Sequence, residues 1–526
     1  MNRIFFPLGK IFCAGISGLL LTAAFPKIGA DWLAPFAFLP LLWSLRDVSG
    51  REGFRLGFIM GLLHFLTLLC WLVHTMQVYG HLPLGLAVPL LFLLAAYLAL
   101  YPAFFSMILC TAGRVPLHFF LLLPVLWTGL EYLRAHLLTG FPWELLGYSL
   151  FRRLHLIQIA DILGVYGVSF LLMSISGSFF LLLLYSGKER WQGSTVGKGL
   201  CIAAVVTALA MTGLTGLYGH IRTAEVKKRA NAAPRIRVAA VQGNIDQMVK
   251  WDPAFQESST QKYIHLSLSA VKEKPELLVW PETAVPFYYG YNKKLSDMVR
   301  KGIRQTGARF LIGSPSFSKE GEEIVYYNSA YLIEADGTGA GRFDKVHLVP
   351  FGEYVPLKKY LPFVKKIVAQ IGDFRTGTKG ETLLAGPYRL GLLICYEIIF
   401  PELSAAGVRN GAGLLVNITN DAWYGKSSAP YQHFSMAVFR AVENKRSLVR
   451  AANTGISGFI DPAGHILQST ELFRDAVITA PLPVFIRQTL YSRYGDVFAK
   501  SCLGIVLLYI PVFFLFSKGK KFRYHP

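Results

Sequence analysis

The stretch "GLLICYEIIFPE" (391–402) sets one thiol, Cys395, at the end of an apolar run, with an acid two positions on. A thiol attacks as its thiolate, so a nucleophilic cysteine needs a proton acceptor and a nearby cation. Two other polar residues occupy comparable places: Glu282 directly after "LLVWP", and Lys345 within "GRFDKVHLVPFGEYVP". A carboxylate beside the thiol can act as general base and then as general acid for the leaving group. An ammonium favours the thiolate and stabilises the oxyanion of a tetrahedral intermediate. Cysteine, glutamate and lysine therefore suffice for acyl transfer through a thioester, without a histidine. His347 and His433 are the alternatives for a cysteine–histidine pair. His347 would share the face of Lys345 in an extended segment, and His433 falls in a predicted helix. Singly, each of the three residues also fits a plain structural role: a core thiol, a turn or helix-cap glutamate, a solvated lysine. Their joint occurrence points to catalysis. The sequence has no His/Cys/Asp cluster with metal-ligand spacing, and neither metal nor cofactor is expected.

Glu282, Lys345 and Cys395 are 63 and 50 positions apart, so a fold must gather them. From Arg235 onward short apolar runs alternate with helical patterns. The runs are "RIRVAAVQGN", "ELLVWPET", "RFLIGSPS", "YYNSAYLIEA" with its "DGTG" turn, "RLGLLICYE", "GLLVNITND", "SLVRAANTG" and "SGFIDPAG". Helices are predicted at 254–273, 293–306, 401–410 and 430–446. This alternation predicts α/β layering. The nearly continuous apolar runs predict strands buried on both faces, and the hairpin at "DGTG" predicts a mixed sheet. In α/β proteins reactive groups collect at the carboxyl ends of strands. Glu282, Lys345 and Cys395 can thus converge on one sheet edge.

The rest of the chain is of a different kind. Of 526 residues 53% are hydrophobic and only 16% charged, with mean hydropathy +0.41, against about a quarter charged in a soluble domain. Apolar stretches of spanning length recur near 11–27, 31–45, 56–76, 83–110, 115–135, 163–185 and 199–219, and again at 501–517. This predicts a transmembrane domain at 1–222 with about seven helices, a polar domain at 223–490, and a closing helix with a basic tail at 491–526. The net charge of +21 sits mostly between apolar runs and in the tail, as membrane topology requires. With no zinc-finger spacing, basic helix or RNA-reading signature, nucleic-acid binding is not expected. Arg3, Lys10, Arg46, Arg51, Arg55, Arg114, Lys188, Arg190, Lys198 and the tail lie on one side of the membrane. Lys27, Arg134, Arg152 and Arg153 lie on the other. The positive-inside rule makes the first side cytoplasmic and puts the polar domain outside. The first stretch also resembles a signal peptide, whose removal would leave this orientation unchanged. The loop "TGFPWELLGYSLFRR" (139–153) reads as an interfacial aromatic anchor or a lipid-facing rim. Five of six cysteines lie in apolar runs, and Cys395 alone is in the polar domain. An unpaired cysteine in an exported domain is a reactive-thiol candidate.

The strings "LVWPET", "DKVHLVPFGEYVP" and "LLICYEIIFPE" resemble the glutamate, lysine and cysteine motifs of the nitrilase superfamily, and "VQGNIDQMVKWD", "NITNDAWYG" and "RAANTGISGFIDPAG" extend the match. A nitrilase-like domain carried on preceding membrane helices and one following helix resembles the apolipoprotein N-acyltransferases over essentially the whole chain. That resemblance implies a polytopic α-helical membrane domain beside an α-β-β-α sandwich. It implies Glu282 as general base, Lys345 as oxyanion-stabilising cation and Cys395 as nucleophile. Glu353 matches the second glutamate, Tyr396 and Glu397 the residues flanking the nucleophile, and Trp251 a tryptophan on a loop near the site. Trp423 and Tyr424 are candidates for lipid contact or for ordinary packing. The implied reaction takes an acyl chain from a membrane phospholipid, phosphatidylethanolamine by expectation, through a Cys395 thioester with ping-pong kinetics. The acceptor is the α-amine of the N-terminal diacylglyceryl-cysteine of an apolipoprotein. A monomer in the bacterial inner membrane, with its catalytic domain on the periplasmic side, is implied. A membrane-tethered amidase acting on a small C–N substrate would need the same triad but explains neither the helices nor the aromatic loop. A catalytically inactive binding or transport module is the other rival.

Overall fold

A computed structural model describes residues 8–355 and 374–518. The tail residues Lys520, Lys521 and Arg523 fall outside them, as does Arg3. The chain divides into two compact units. One comprises the residues up to Ile221 together with those from Asp496 onward, and the other is Arg222–Gly495.

The first unit is helical. Among the described residues four helices are long and apolar enough to span a bilayer: Leu84–Ala112, Pro116–Thr139, Ala160–Ser186 and Lys198–Ala232. Gly50–Leu68 and Trp71–Val78, bent by 52°, make a fifth span if taken together, and Leu8–Ala23 and Val497–Phe513 are shorter apolar helices. Gly50–Leu68 starts at a capping box, in which Ser49 and Glu52 satisfy each other's backbone N–H groups. Glycines spaced by four on this helix let backbones meet. A methyl at Gly61 would lie 2.9 Å from Ala99 Cα, and one at Gly57 would strike the Pro102 carbonyl. Apolar side chains such as Leu93, Leu209 and Leu214 point outward.

Two sequence expectations need correction here. The stretch 31–45 forms no span: it is a three-residue turn, Asp31–Leu33, and a six-residue helix, Leu39–Ser44. Pro35 and Pro40 each remove a backbone donor, and Asp31 is pinned by two 2.8 Å bonds from the Arg153 guanidinium. The loop 139–153 is no aromatic anchor at an interface, for Trp143 and Tyr148 are buried. Arg134 donates to the Trp143 carbonyl at 3.0 Å, and Glu131 accepts from the Leu146 N–H at 2.7 Å. These buried charges therefore satisfy a folded-in loop.

The second unit has two six-stranded mixed sheets. The first runs Ala476–Pro483, Arg235–Gln242, Leu277–Val279, Arg309–Glu320, Glu323–Ile333, Gly339–Asp344; the second runs Ile466–Ser469, Gly458–Ile460, Ser447–Ala452, Leu414–Thr419, Tyr388–Ile394, Thr382–Ala385. Each has a parallel centre and antiparallel edges. Alternate residues of both sheets fill one core: Val238, Leu277, Val279 and Leu311 from the first, Leu392, Ile394, Val416 and Val449 from the second. The opposite face of the first sheet, with Val241, Leu278, Trp280 and Phe310, packs against helices Pro253–Ser269 and Lys293–Thr306 through Tyr263, Leu295, Val299 and Ile303. Helices Pro401–Arg409 and Ala429–Asn444 cover the second sheet. The result is an α-β-β-α sandwich, whose doubly covered sheets explain why the strand Leu414–Thr419 is buried throughout.

Candidate active site

Strand Tyr388–Ile394 lies parallel to Leu414–Thr419 and stops at Ile394. Cys395 then adopts φ +55°, opening the 3-10 turn Cys395–Ile399. For a residue with a Cβ this left-handed conformation costs about 1–3 kcal/mol and must be held by its surroundings. Glu397 holds it. Its buried carboxylate accepts from the Ile394 N–H at 2.6 Å and from the Val346 and His347 N–H groups at 2.6 and 2.9 Å. One side chain thus ties the cysteine turn to the segment that follows Lys345. Burial raises the Glu397 carboxyl to about 7 although these N–H groups favour its anion.

Glu282 follows strand Leu277–Val279 in a tight turn, with Thr283 at φ +45°. The turn stays docked on the neighbouring strand, where the Val285 N–H reaches the Gly313 carbonyl at 3.1 Å. Oε1 of Glu282 accepts from the Asn328 side-chain amide at 2.7 Å, and Oε2 accepts from the Asn420 N–H at 3.0 Å. Lys345 leaves strand Gly339–Asp344, which runs antiparallel to Glu323–Ile333. Its N–H donates to the Asn328 carbonyl at 2.8 Å. Its ammonium, 1% exposed, lies 2.9 Å from both oxygens of Glu353 and 3.6 Å from Glu282 Oε1. Asn328 also donates to Glu353 Oε1 at 2.7 Å. Asn328 therefore spaces two carboxylates around one ammonium.

The charges act on one another. Burial opposes the Lys345 charge, but Glu353, Glu282 and then Cys395 outweigh it and hold the ammonium well above the ordinary lysine range. Burial and the Glu282 carboxylate push the Cys395 thiol up, while Lys345 works against them. The site therefore holds a thiol, a carboxylate and an ammonium that act on one another electrostatically.

The other predicted residues separate. Tyr396 is buried, with its ring edge-on to Phe400 at 5.2 Å. Trp251 is 48% exposed and Trp423 36%. Tyr424 is buried edge-on to His433, where burial, Cys395 and Asp421 raise its hydroxyl. The two histidines are engaged by other groups. The His347 ring lies tilted against Phe400 with centroids 3.8 Å apart, and burial and Lys345 lower its pKa to about 4. His433 Nδ1 lies 3.0 Å from Asp421 and 2.9 Å from Arg450, and burial and Arg450 lower its pKa. Burial opposes the Asp421 charge, but Arg450 and His433 keep that carboxyl well below its usual range.

Sequence reasoning missed Asn328, Asn420, Lys250 and the Asp421–Arg450 pair. The signal for Asn328 was an amide amid the aromatic and apolar residues of "YYNSAYLI".

Two family models match the chain: the apolipoprotein N-acyltransferase N-terminal domain over residues 17–178, and carbon-nitrogen hydrolase over 237–490. An apolipoprotein N-acyltransferase of Geobacter metallireducens is 46% identical, with 93% of this chain and 92% of that one covered. One of Methylococcus capsulatus is 35% identical, with 93% of each covered. Among solved structures, a nitrilase-superfamily amidase of Nesterenkonia AN1 is similar over 48% of this chain and 93% of its own, at 22% identity and TM-score 0.36. With both halves matched in order and relatives aligned over nearly their full length, the chain belongs to the apolipoprotein N-acyltransferase family.

Proposed function

We propose that this chain moves a fatty acyl group from a membrane phospholipid to the α-amine of an N-terminal diacylglyceryl-cysteine, through a thioester on Cys395. The observation that carries the reading is the buried cluster of Glu282, Lys345, Glu353 and Cys395 at one end of the sheets. In the first half-reaction Glu282 takes the Sγ proton as sulfur attacks the ester carbonyl. The oxygen that becomes negative is met by the Lys345 ammonium, which stays a donor because two carboxylates hold its proton. The C–O bond breaks, and Glu282 returns the proton to the departing lysophospholipid. In the second half-reaction the acceptor amine attacks the thioester, Glu282 takes a proton from nitrogen, and the thiol is regenerated as the amide forms. Two transfers through one covalent species give ping-pong kinetics. Glu397 positions the nucleophile turn, and Trp251 and Trp423 supply exposed aromatic surface for lipid. No step requires a metal or cofactor.

Both substrates are lipids, and moving acyl chains out of a bilayer costs about 0.8 kcal/mol per CH₂. The spanning helices keep the reaction at the membrane. We place the chain as a monomer in the bacterial inner membrane, with a transmembrane domain at 1–222, a periplasmic catalytic domain at 223–490 and a closing segment at 491–526.

Mass spectrometry of the purified protein after incubation with phosphatidylethanolamine, and no acceptor, tests the reading. One fatty-acyl mass should appear on Cys395 and should leave on addition of a diacylglyceryl lipopeptide. Absence of the adduct, or normal N-acylation by Cys395→Ala, Glu282→Gln or Lys345→Ala, would overturn it.

A further inference from the structure

Lys250, next to Trp251 on the loop before helix Pro253–Ser269, is 1% exposed. It makes no ion pair among the described residues. Its ammonium donates to the carbonyl oxygen of Glu282 at 3.2 Å and to Thr283 Oγ1 at 2.7 Å. Both acceptors belong to the turn that presents Glu282, at the residue where the backbone enters the left-handed region. The ionisable groups that face Lys250 are Glu282 and Cys395. Burying an ammonium without a carboxylate partner is expensive, and burial lowers this one to about 8 although both neighbours favour its charge. A strap alone could be built from a neutral donor. The site itself supplies a reason for the charge. Two carboxylates, Glu282 and Glu353, already surround Lys345. Proton transfer from the thiol to Glu282 leaves the net charge unchanged but moves a negative charge onto sulfur and then onto the acyl oxygen, while Glu353 keeps its hold on Lys345.

We propose that Lys250 is a positioning residue of the acyl-transfer site: it fixes the Glu282 turn and supplies the second positive charge felt at the Cys395 sulfur. This rests on Cys395 as the nucleophile but not on the identity of the acyl donor.

The test is alkylation of Cys395 in the full-length protein in detergent micelles, by neutral iodoacetamide and by anionic iodoacetate, read as the adduct on the Cys395 peptide. Lys250→Met should lower the ratio of iodoacetate to iodoacetamide rates at least about threefold, because the lost cation favoured the anionic reagent. Lys250→Arg should restore the ratio to within about twofold of the parent. Lys250→Gln keeps a donor without the charge. It should lower the ratio like Lys250→Met, and it stands in if the methionine variant fails to fold. Equal slowing with both reagents would reduce Lys250 to a strap, and unchanged rates would remove any role; either result overturns the proposal. No adduct in the parent protein would overturn the nucleophile assignment and this inference with it. A charge-dependent ratio without any fatty-acyl adduct would leave Lys250 standing and sink the lipid reading instead.

Discussion

Asn328 donates to both Glu282 and Glu353, so its amide nitrogen sits between two carboxylates that also share Lys345. Replacing Asn328 by Asp would put a third acid there and remove both donors. The expected result is a fall in single-turnover acylation of at least about a hundredfold, with the circular dichroism spectrum kept. The proposed general base and its support are thus set by a residue without acid–base chemistry of its own. Lys250 gives a pH-dependent expectation of opposite character. Its folded value of about 8 lies below the ordinary 10.5. Between those values the unfolded chain holds a proton that the folded one does not, so stability rises with pH in that window. Below about 8 the buried charge costs the fold its full amount. Lys250→Met should therefore be more stable than the parent at pH 7, by up to roughly 3 kcal/mol, less the two hydrogen bonds given up. The gap in melting temperature should close as pH approaches 10.5. A variant that is less stable at pH 7 than at pH 10, relative to the parent, would contradict this. Glu282 and Cys395 stand out in the sequence because each follows a short apolar run, and Lys345 because it lies in the string "GRFDKVHLVPFGEYVP". Asn328 and Asn420 do not stand out, since their contacts are with residues remote in sequence, Glu282 lying 46 and 138 positions away.

Elements position these residues by letting backbones come close. Gly313 lies on strand Arg309–Glu320, beneath the turn that carries Glu282. A methyl there would fall 2.6 Å from the Thr283 N–H and 2.7 Å from Glu282 Cα, and would strike the Pro281 carbonyl. None of these is a flexible side-chain end, so the turn itself must shift. Gly313→Ala should cost about 1–3 kcal/mol of stability and lower acylation at least about tenfold by displacing the carboxylate. Thermal unfolding and single-turnover acylation measure the two effects separately. If acylation survives intact, the turn has slack that the geometry denies. The elements themselves were readable where periodicity was strong. The helix predicted at 293–306 is Lys293–Thr306, and the helix predicted at 401–410 is Pro401–Arg409. Reading failed where apolar content outran helical continuity. The stretch 31–45 has the hydropathy of a span, but two prolines and the Asp31–Arg153 pair break it. The aromatic loop 139–153 looked interfacial by composition, and only the fold reveals Glu131 and Arg134 drawing it inward.

At the scale of the molecule, charge decides which way the chain faces. One end of the helical unit gathers the basic loops: Arg46 pairs with Glu189 at 2.7 Å, Gln192 donates to the Leu45 carbonyl, and the Trp191 indole donates to the Gly113 carbonyl. On the opposing loops the few basic residues are partly spent. Arg153 is neutralised by Asp31, and Arg134 is buried against backbone carbonyls. Ion pairs thus occur at both ends, and the cytoplasmic placement proposed for the first end rests on its larger count of Lys and Arg. Helix Lys198–Ala232, at about 1.5 Å per residue, is longer than the roughly 30 Å hydrocarbon core. Its last turns carry Arg222, Glu225, Lys227, Lys228 and Arg229, residues suited to water. These charges can therefore follow the helix out of the bilayer without opposing the orientation. Labelling with a membrane-impermeant maleimide checks it, in a background whose native cysteines are replaced by serine. Lys272→Cys, exposed in the second unit, should label in intact spheroplasts; Lys188→Cys, exposed in the basic loop, should label only after lysis. The reverse pattern would put the thiol chemistry on the cytoplasmic face, and with it the wrong leaflet for an acceptor carried by an exported lipoprotein.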